Sequence, residues 1–262
     1  MLLAVDIGNT QTTVGLFLEG EMVTRWAVTT RGADTPDELH QIVYTQLMLG
    51  GRGLECIDDA VLASVVPSLT GTWAQVAERI TGRCPVVVGP GVKSGLPMRY
   101  DNPAEVGADR VADAVAAVAR YGAPVVVVDL GTATNIEVVD QSGAFRGGII
   151  APGLRSGADS LFKRGALLSQ VGLEMPPHVI GTNTADAMRS GIMLGEVARI
   201  DGLVQRIFAE LGYTAPVVAS GGLGRYLVGA STTITAFEPD LTLEGLRIIY
   251  EKNRGGRSAA RA

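Results

Sequence analysis

The chain contains one short acidic turn twice, and this repeat constrains its fold more than any other feature. The segment VDIGNT at 5–10 is echoed by VDLGTAT at 128–134. Each copy follows a run of apolar residues and precedes a second run rich in strand-forming residues, so each predicts a β-hairpin closed by a tight turn. Two such hairpins, one in each half, predict a duplicated α/β domain with a cleft between the halves.

The other predicted elements recur in a similar order. The first half has strands at 2–6, 12–18 and 22–30, a helix at 36–49 capped by Asp34 or Thr35, a strand at 60–66 stopped by Pro67, a helix at 70–81 and a strand at 85–88. A helix at 109–121 joins the halves. The second half has strands at 125–129, 135–140 and 145–151, a helix at 156–170, one or two long helices at 184–211, a strand at 216–219 and a helix at 240–253. We therefore divide the chain into domains 1–115 and 116–262, with a tail from Arg254 that we expect to be disordered.

Composition narrows the function classes. The 262 residues are 47% hydrophobic, which is enough for one large core or two modest ones. A net charge of −5 without a basic cluster argues against a nucleic acid as partner. Two cysteines, no signal peptide and no apolar run near the roughly 20 residues of a membrane span predict a soluble cytoplasmic protein with no membrane partner. Two isolated histidines argue against a histidine metal site or a Ser-His-Asp triad, and the lack of a G-x-x-x-x-G-K-[ST] motif excludes a P-loop.

The paired turns have the composition of phosphate-binding loops. A glycine lets the backbone approach a phosphate closely, and the polar residues of 9–13 add donors. Asp6 can hold Mg²⁺ or its waters, and Asp129 stands in the same place of the second copy. An ordinary hairpin turn is the alternative, since Gly-Asn is common there, but the echo favours phosphate. A third glycine turn, SGG at 220–222, follows a strand and is either a simple turn or a surface for an adenine or ribose.

The loop YDNPAEVGADR at 100–110 leads into the joining helix. Asp109 begins that helix, so it can be an ordinary first-turn acid. It can also be a base that accepts a hydroxyl proton, with Arg110 and the helix N-terminus stabilising anionic charge.

Together these segments resemble type III pantothenate kinases over nearly the whole chain. The loop at 100–110 is highly specific to that family, whereas the glycine turns alone indicate only the wider actin-like kinase superfamily. Further segments that carry the resemblance are VVPS at 65–68, GG at 147–148, APG at 151–153, IGTNT at 180–184, SG at 190–191 and PDLTLEGL at 239–246.

The resemblance implies duplicated ribonuclease-H-like (actin-like) domains with a nucleotide cleft between them. It implies ATP-dependent phosphorylation of pantothenate to 4′-phosphopantothenate, the first step of coenzyme A synthesis, by direct in-line transfer with Asp109 as the base. ATP and pantothenate would be the small-molecule partners, and the enzyme a homodimer with shared sites.

The resemblance also implies a role for individual residues. Asp129 would hold a monovalent cation, K⁺ or NH₄⁺, which the family requires beside Mg²⁺. Gly191 and Gly195 would allow close helix contact at the dimer interface, although an internal contact is equally allowed. ATP would be bound by Asp6, Ile7, Gly8, Asn9, Thr10, Gln11, Thr12, Thr13 and Thr132. The pantothenate site would be lined by Tyr100, Gly107, Ala108, Asp109 and Arg110 together with Thr184 of the partner subunit, although Thr184 is as well explained as a helix N-cap.

Two departures from the family pattern follow the second turn, where Asn135 and Glu137 replace the usual Thr and Asp. Two other functions stay open at this point. One is a different small-molecule kinase of the same superfamily, which a substrate screen would identify. The other is a catalytically idle nucleotide-binding or regulatory homologue, which complementation of a strain lacking pantothenate kinase would separate from an enzyme.

Overall fold

The computed structural model describes residues 1–164 and 170–258. The chain forms two compact units: Met1–Ala116 together with the segment that begins at Leu241, and Ala117–Asp240. The first break lies beside the sequence-based division at 115/116. The C-terminal helix, which that division assigned to the second half, is part of the first unit.

The elements up to the middle of the chain are three strands, three helices and two further strands. They are β1 (Leu2–Ile7), β2 (Gln11–Leu18), β3 (Glu21–Thr29), α1 (Pro36–Leu49), β4 (Asp59–Ser64), α2 (Pro67–Thr81), β5 (Val86–Val87) and α3 (Ala108–Tyr121). Single 3₁₀ turns at Leu54–Cys56 and Pro103–Glu105 lie in the connections.

The remaining elements begin with a second set of three strands. They are β6 (Val125–Leu130), β7 (Ala133–Val139), β8 (Phe145–Pro152), α4 (Leu154–Arg164), α5 (Thr184–Arg189), α6 (Gly195–Leu211), β9 (Val217–Ser220), α7 (Gly224–Leu227), β10 (Ala236–Phe237) and α8 (Leu241–Ser258). A π-helical segment, Ser190–Leu194, joins α5 to α6, so the segment 184–211, expected as one or two helices, is continuous but not α-helical throughout.

The two units contain sheets of the same topology, which confirms the predicted duplication. The strand order is β3-β2-β1-β4-β5 in the first unit and β10-β9-β6-β7-β8 in the second. In each sheet the first strand pairs antiparallel with the second and parallel with the fourth. The acidic turns therefore occupy equivalent places, at the carboxyl end of the first strand.

Alternation along β1 gives the first sheet two different faces. Leu3, Val5 and Ile7 are fully buried and pack with α1 and α2, including Trp73. Ala4 and Asp6 therefore face the opposite side, since successive side chains of a strand point to opposite faces. The second sheet is built alike: Val126, Val128 and Leu130 pack with the buried residues of α6.

Three helix ends differ from expectation or decide between alternatives. Thr35 caps α1 through a capping box with Glu38, so Asp34 is not the cap. Helix α2 begins at Pro67, three residues before its expected start, because the proline ring presets a helical φ and its missing N–H is not needed in the first turn. Helix α4 begins at Leu154 rather than Ser156, and its expected end at 170 falls on residues outside the described part of the chain.

The expected disordered tail is wrong for residues 254–258, because α8 continues to Ser258. Residues 259–262 lie outside the described residues. Among the described residues, no helix is long and apolar enough to cross a membrane.

One partly buried hydrogen-bond cluster holds the segment before β10 against α6. Asp201 accepts hydrogen bonds from the hydroxyls of Ser231 and Thr233, both at 2.6 Å, and from the backbone N–H of Thr232 at 2.9 Å. Burial by itself raises the pKa of the Asp201 carboxyl, but these hydrogen bonds outweigh burial and lower it to about 2.

Asp201→Asn should lower the free energy of unfolding by about 1–3 kcal/mol at neutral pH, because the amide loses the charge and offers the donors one oxygen instead of two. A depressed carboxyl pKa contributes stability above the unfolded-state pKa of about 3.9, and that contribution is lost as the pH falls toward about 2. Urea unfolding at several pH values measures both effects. Glu210→Gln, at the exposed end of the same helix, is the control. Equal urea midpoints for Asp201→Asn and wild type at pH about 7 would contradict the role of this cluster.

Candidate active site

The first acidic turn is closed by its own backbone. Strand pairing sets Asp6 opposite Thr13 and Ile7 opposite Thr12, and residues 8–11 form the turn. The N–H of Gly8 donates to the carbonyl of Gln11 at 3.1 Å. A Cβ on Gly8 would lie 2.8 Å from that carbonyl oxygen, so glycine is required by the close approach.

Thr30, just after β3, supports this turn through hydrogen bonds, and sequence reasoning missed it. Its hydroxyl donates to the carbonyl of Gly8 at 2.7 Å and lies 2.9 Å from the hydroxyl of Thr12. Its backbone N–H donates to the carbonyl of Thr10 at 3.0 Å. Thr12 is therefore buried beneath the turn, whereas Asn9, Thr10 and Gln11 are exposed on it.

The loop at 100–110 ends at the same sheet edge as this turn. The N–H of Val65 donates to the carbonyl of Ile7 at 3.0 Å, just beyond β4. Gly107 packs against Val65, since a Cβ at Gly107 would lie 3.5 Å from Val65 Cγ1. The structure thus brings the start of α3 close to the carboxyl end of β1. Tyr100, at the start of the loop, is half-buried.

Asp109 lies in the first turn of α3 and is half-buried. Its Oδ1 accepts a hydrogen bond from the N–H of Arg110 at 2.8 Å, and the Arg110 side chain is itself buried. Burial raises the pKa of the Asp109 carboxyl above its ordinary value, and the N–H and charge of Arg110 offset only part of that rise. A carboxylate whose pKa is raised toward neutral is better matched to accepting a proton. It is therefore suited to the role of a base.

The second acidic turn, in the other unit, is one residue shorter. Strand pairing sets Asp129 opposite Asn135 and Leu130 opposite Thr134, which leaves residues 131–133 as the turn. The N–H of Gly131 donates to the carbonyl of Ala133 at 3.0 Å, just as the N–H of Gly8 donates to the carbonyl of Gln11 in the first turn. Glu137, the other departure from the family pattern, is fully buried on β7.

Two glycines from other strand ends pack against this second turn. The N–H of Gly153, just after β8, donates to the carbonyl of Thr132 at 3.2 Å, and the Ser156 hydroxyl donates to the same oxygen at 2.9 Å. Gly221, just after β9, has a φ of +86°. A Cβ on Gly221 would lie 2.6 Å from the carbonyl oxygen of Leu130 and 2.7 Å from Asp129 Oδ1. The third glycine turn of the sequence therefore lies directly against the Asp129 carboxylate.

Glu196, a buried acid on α6, links β7 to the end of β8 beside the second turn. The hydroxyl of Thr134 donates to Glu196 Oε1 at 2.7 Å, and Glu196 forms an ion pair with Arg199. Arg199 in turn donates to the carbonyl of Pro152 at 2.7 Å, beside Gly153. Sequence reasoning missed this pair. The available signal was a glutamate at a buried position of the apolar periodicity of α6, next to Val197 and four residues before Ile200.

Thr184 is the first residue of α5 and is exposed. The N-cap is Asn183, whose Oδ1 accepts a hydrogen bond from the N–H of Asp186 at 2.9 Å. The alternative in which Thr184 caps the helix is therefore wrong, and its exposed hydroxyl has no capping role.

Among the described residues, no group of three or more His, Cys, Asp or Glu could hold a metal ion.

Comparison with known proteins gives a consistent result. The family model of type III pantothenate kinase matches residues 2–206. A type III pantothenate kinase from Acidobacterium capsulatum is 43% identical over 98% of this chain and 97% of its own length. One from Moorella thermoacetica is 44% identical over 97% of this chain and all of its own. The crystal structure of a ROK hexokinase from Thermus thermophilus, 13% identical, superposes with a TM-score of 0.51 over 97% of this chain and 99% of its own, which shows a shared fold.

Gly221→Ala should lower the free energy of unfolding by about 1–3 kcal/mol, because a side chain there meets both a positive φ and the Leu130 carbonyl. Gly222→Ala is the matched control, since a Cβ at Gly222 would meet no described atom within 4 Å. Chemical denaturation of both variants measures the difference. If the two substitutions cost the same, the packing of Gly221 against the Asp129 turn is not a stabilising constraint.

Proposed function

Because the chain belongs to the type III pantothenate kinase family, we propose that it transfers the γ-phosphoryl group of ATP directly to the primary hydroxyl of pantothenate. The product, 4′-phosphopantothenate, is the first intermediate of coenzyme A synthesis. The observation that carries the assignment to this chain's residues is the half-buried Asp109 carboxylate with its raised pKa, at the start of α3 beside the first acidic turn.

Asp109 is the base of the proposed reaction. It accepts the proton of the pantothenate hydroxyl as that oxygen attacks the γ-phosphorus in line with the leaving ADP oxygen. Arg110 and the positive end of the α3 helix dipole stabilise the negative charge that gathers on the transferred group. Tyr100 and residues 107–110 line the pantothenate site, which the position of the loop at the end of β1 supports.

The two turns bind the phosphates of ATP. Phosphoryl transfer depends mainly on positioning and on neutralising charge, and glycine turns with exposed N–H groups provide both. The exposure of residues 9–11 and of Thr132, each in its own unit, supports this role. The buried hydroxyl of Thr12 holds the first turn in shape.

The carboxylates of the turns fit the cations that such a kinase uses. Mg²⁺ at nucleotide sites is bound by one or two carboxylates together with phosphate oxygens, and it supplies positive charge to the phosphates when bound. Asp6 fits this role, because it stands at the end of β1 beside the turn. Asp129, whose Oδ1 lies together with the Leu130 carbonyl oxygen against Gly221, fits K⁺ or NH₄⁺, which also favour oxygen ligands.

We further propose a homodimer in which Thr184 reaches the pantothenate site of the partner subunit. The exposure of Thr184 at the start of α5 supports this. Gly191 and Gly195 also support it, because a Cβ added to either would meet no described atom within 4 Å, which leaves room for a partner helix. A cytoplasmic location is part of the proposal and agrees with the two free cysteines, Cys56 and Cys84.

Asp109→Asn should lower kcat by about 10² or more while ATP binding survives, because the amide cannot accept the proton. The acid limb of the wild-type kcat profile should lie above the ordinary aspartate pKa of about 3.9, since burial raises the pKa of Asp109. That limb should vanish in the variant. Steady-state kinetics across pH and ATP titration measure these outcomes.

The matched control is Asp37→Asn, the same change in the first turn of α1. A raised carboxyl pKa costs stability as the pH rises through it, so Asp109→Asn should melt no lower than wild type at neutral pH. Near-normal turnover of Asp109→Asn, or an equal kinetic loss in Asp37→Asn, would show that Asp109 is only a first-turn acid.

Activity should require a monovalent cation at Asp129. The rate should be high in potassium or ammonium buffer and low in sodium buffer of equal ionic strength, and Asp129→Asn should remove the difference. Equal rates of the wild-type enzyme in sodium and potassium would exclude this site.

A panel of alcohol substrates, and complementation of a strain lacking pantothenate kinase, test the substrate assignment itself.

A further inference from the structure

The C-terminal helix α8 lies against the helix that carries Asp109. The segment PDLTLEGL at 239–246, which none of the proposed binding sites uses, leads into its first turns. More than a hundred residues of the second unit separate α8 from α3 in sequence, yet α8 and the first part of α3 belong to the same unit. Among the described residues, two contacts between them bear on the position of α3.

The first contact is a backbone approach that only glycine allows. A Cβ on Gly245 of α8 would overlap the carbonyl group of Ala112 on α3. Any side chain at this position would push the two helices apart, since a carbonyl of a helix cannot move without disturbing the helix. Gly245 therefore sets the distance between α8 and α3.

The second contact is a hydrogen bond that fixes the rotation of α3 about its own axis and its position along that axis. The Thr242 hydroxyl donates to Asp113 Oδ1 at 2.6 Å, and Asp113 is 2% exposed. Asp113 is four residues after Asp109, so the two carboxylates lie on the same face of α3, one turn apart. A shift of Asp113 would therefore be transmitted directly to Asp109.

Helix α8 is itself anchored to the sheet, so it can serve as a reference point. Leu243 packs on Gly15 of β2, where a Cβ would lie 3.0 Å from Leu243 Cδ1. Further along α8, the Tyr250 hydroxyl donates to Asp59 Oδ2 of β4 at 2.7 Å. Leu243, next to Thr242, thus holds the first turn of α8 on the sheet that carries Asp6, whereas the Tyr250 bond lies about two turns further from α3's contact residue.

We infer that Thr242, through Asp113, is a positioning residue for the catalytic base Asp109, and that Gly245 allows the close approach this needs. Thr242 touches no substrate. It acts by keeping the first turns of α3 at a fixed place relative to the carboxyl end of β1, where a misplacement of about 1 Å is enough to cost a large factor in rate. The inference rests on the proposed role of Asp109.

Three variants of the full-length protein test it. Thr242→Val removes the hydroxyl and keeps the shape, Thr242→Ser keeps the hydroxyl, and Tyr250→Phe removes a hydrogen bond from the same helix to a carboxylate that does not lie on α3. Pantothenate phosphorylation, both KM values and the melting temperature are measured for each. We expect Thr242→Val to lower kcat about tenfold with both KM values within about twofold, because a misplaced base slows transfer without removing binding contacts. Thr242→Ser should restore kcat, and Tyr250→Phe should lower the melting temperature while keeping kcat within about twofold of wild type.

A Thr242→Val enzyme with wild-type kcat would overturn the inference, and so would equal kcat losses in Thr242→Val and Tyr250→Phe, which would indicate general destabilisation of α8. These outcomes differ from a failure of the proposed function. If the wild-type protein does not phosphorylate pantothenate, or if Asp109→Asn is fully active, the proposed function is wrong whatever Thr242→Val does.

Discussion

The architecture depends on backbone segments that approach one another too closely for any side chain to fit between them. Gly8 folds back on Gln11, Gly221 lies on the Leu130 carbonyl, and Gly245 lies on the Ala112 carbonyl. In each case a Cβ would fall under 3 Å from a backbone oxygen. These contacts set the shape of both acidic turns and the position of α3. The two acidic turns are also the proposed phosphate-binding loops, where a glycine lets the backbone approach an anion closely.

The aspartates of this chain show how environment gives one residue type opposite properties. Asp201 receives hydrogen bonds from three successive residues, and they lower its pKa to about 2, which keeps it ionised and structural. Asp109 is buried with fewer compensating donors, so its pKa is raised and its ionised form costs stability. That cost is the expected property of a group with the role proposed for Asp109, which is to accept a proton during a reaction. Burial and hydrogen bonding, rather than position in the sequence, separate the two roles.

Local patterns predicted the parts of the fold that depend on local physics. Both hairpins, α1 from Pro36 to Leu49 and the start of α3 near Asp109 agree with the structure, because alternation, capping and apolar periodicity report directly on strands and helices. The predicted helix boundaries were wrong where one residue type is compatible with two different local structures. Pro67 both stops a strand and begins a helix, and the glycines after Arg254 weaken a helix without ending α8. Asn and Thr are both favourable N-cap residues, so the sequence allowed either Asn183 or Thr184, and in the structure Asn183 caps α5.

By itself the sequence determined the duplication, the two acidic turns, the loop that ends at Asp109 and the family to which the chain belongs. Tertiary structure alone decided what holds these parts in place: Thr30 behind the first turn, Glu196 and Arg199 behind the second, and α8 against α3. The physical reason is that a turn or a helix start is encoded by neighbouring residues, which a sequence shows directly. A bracing contact joins residues far apart in the chain, such as Asp113 and Thr242, and only the packed fold brings their atoms within hydrogen-bonding distance.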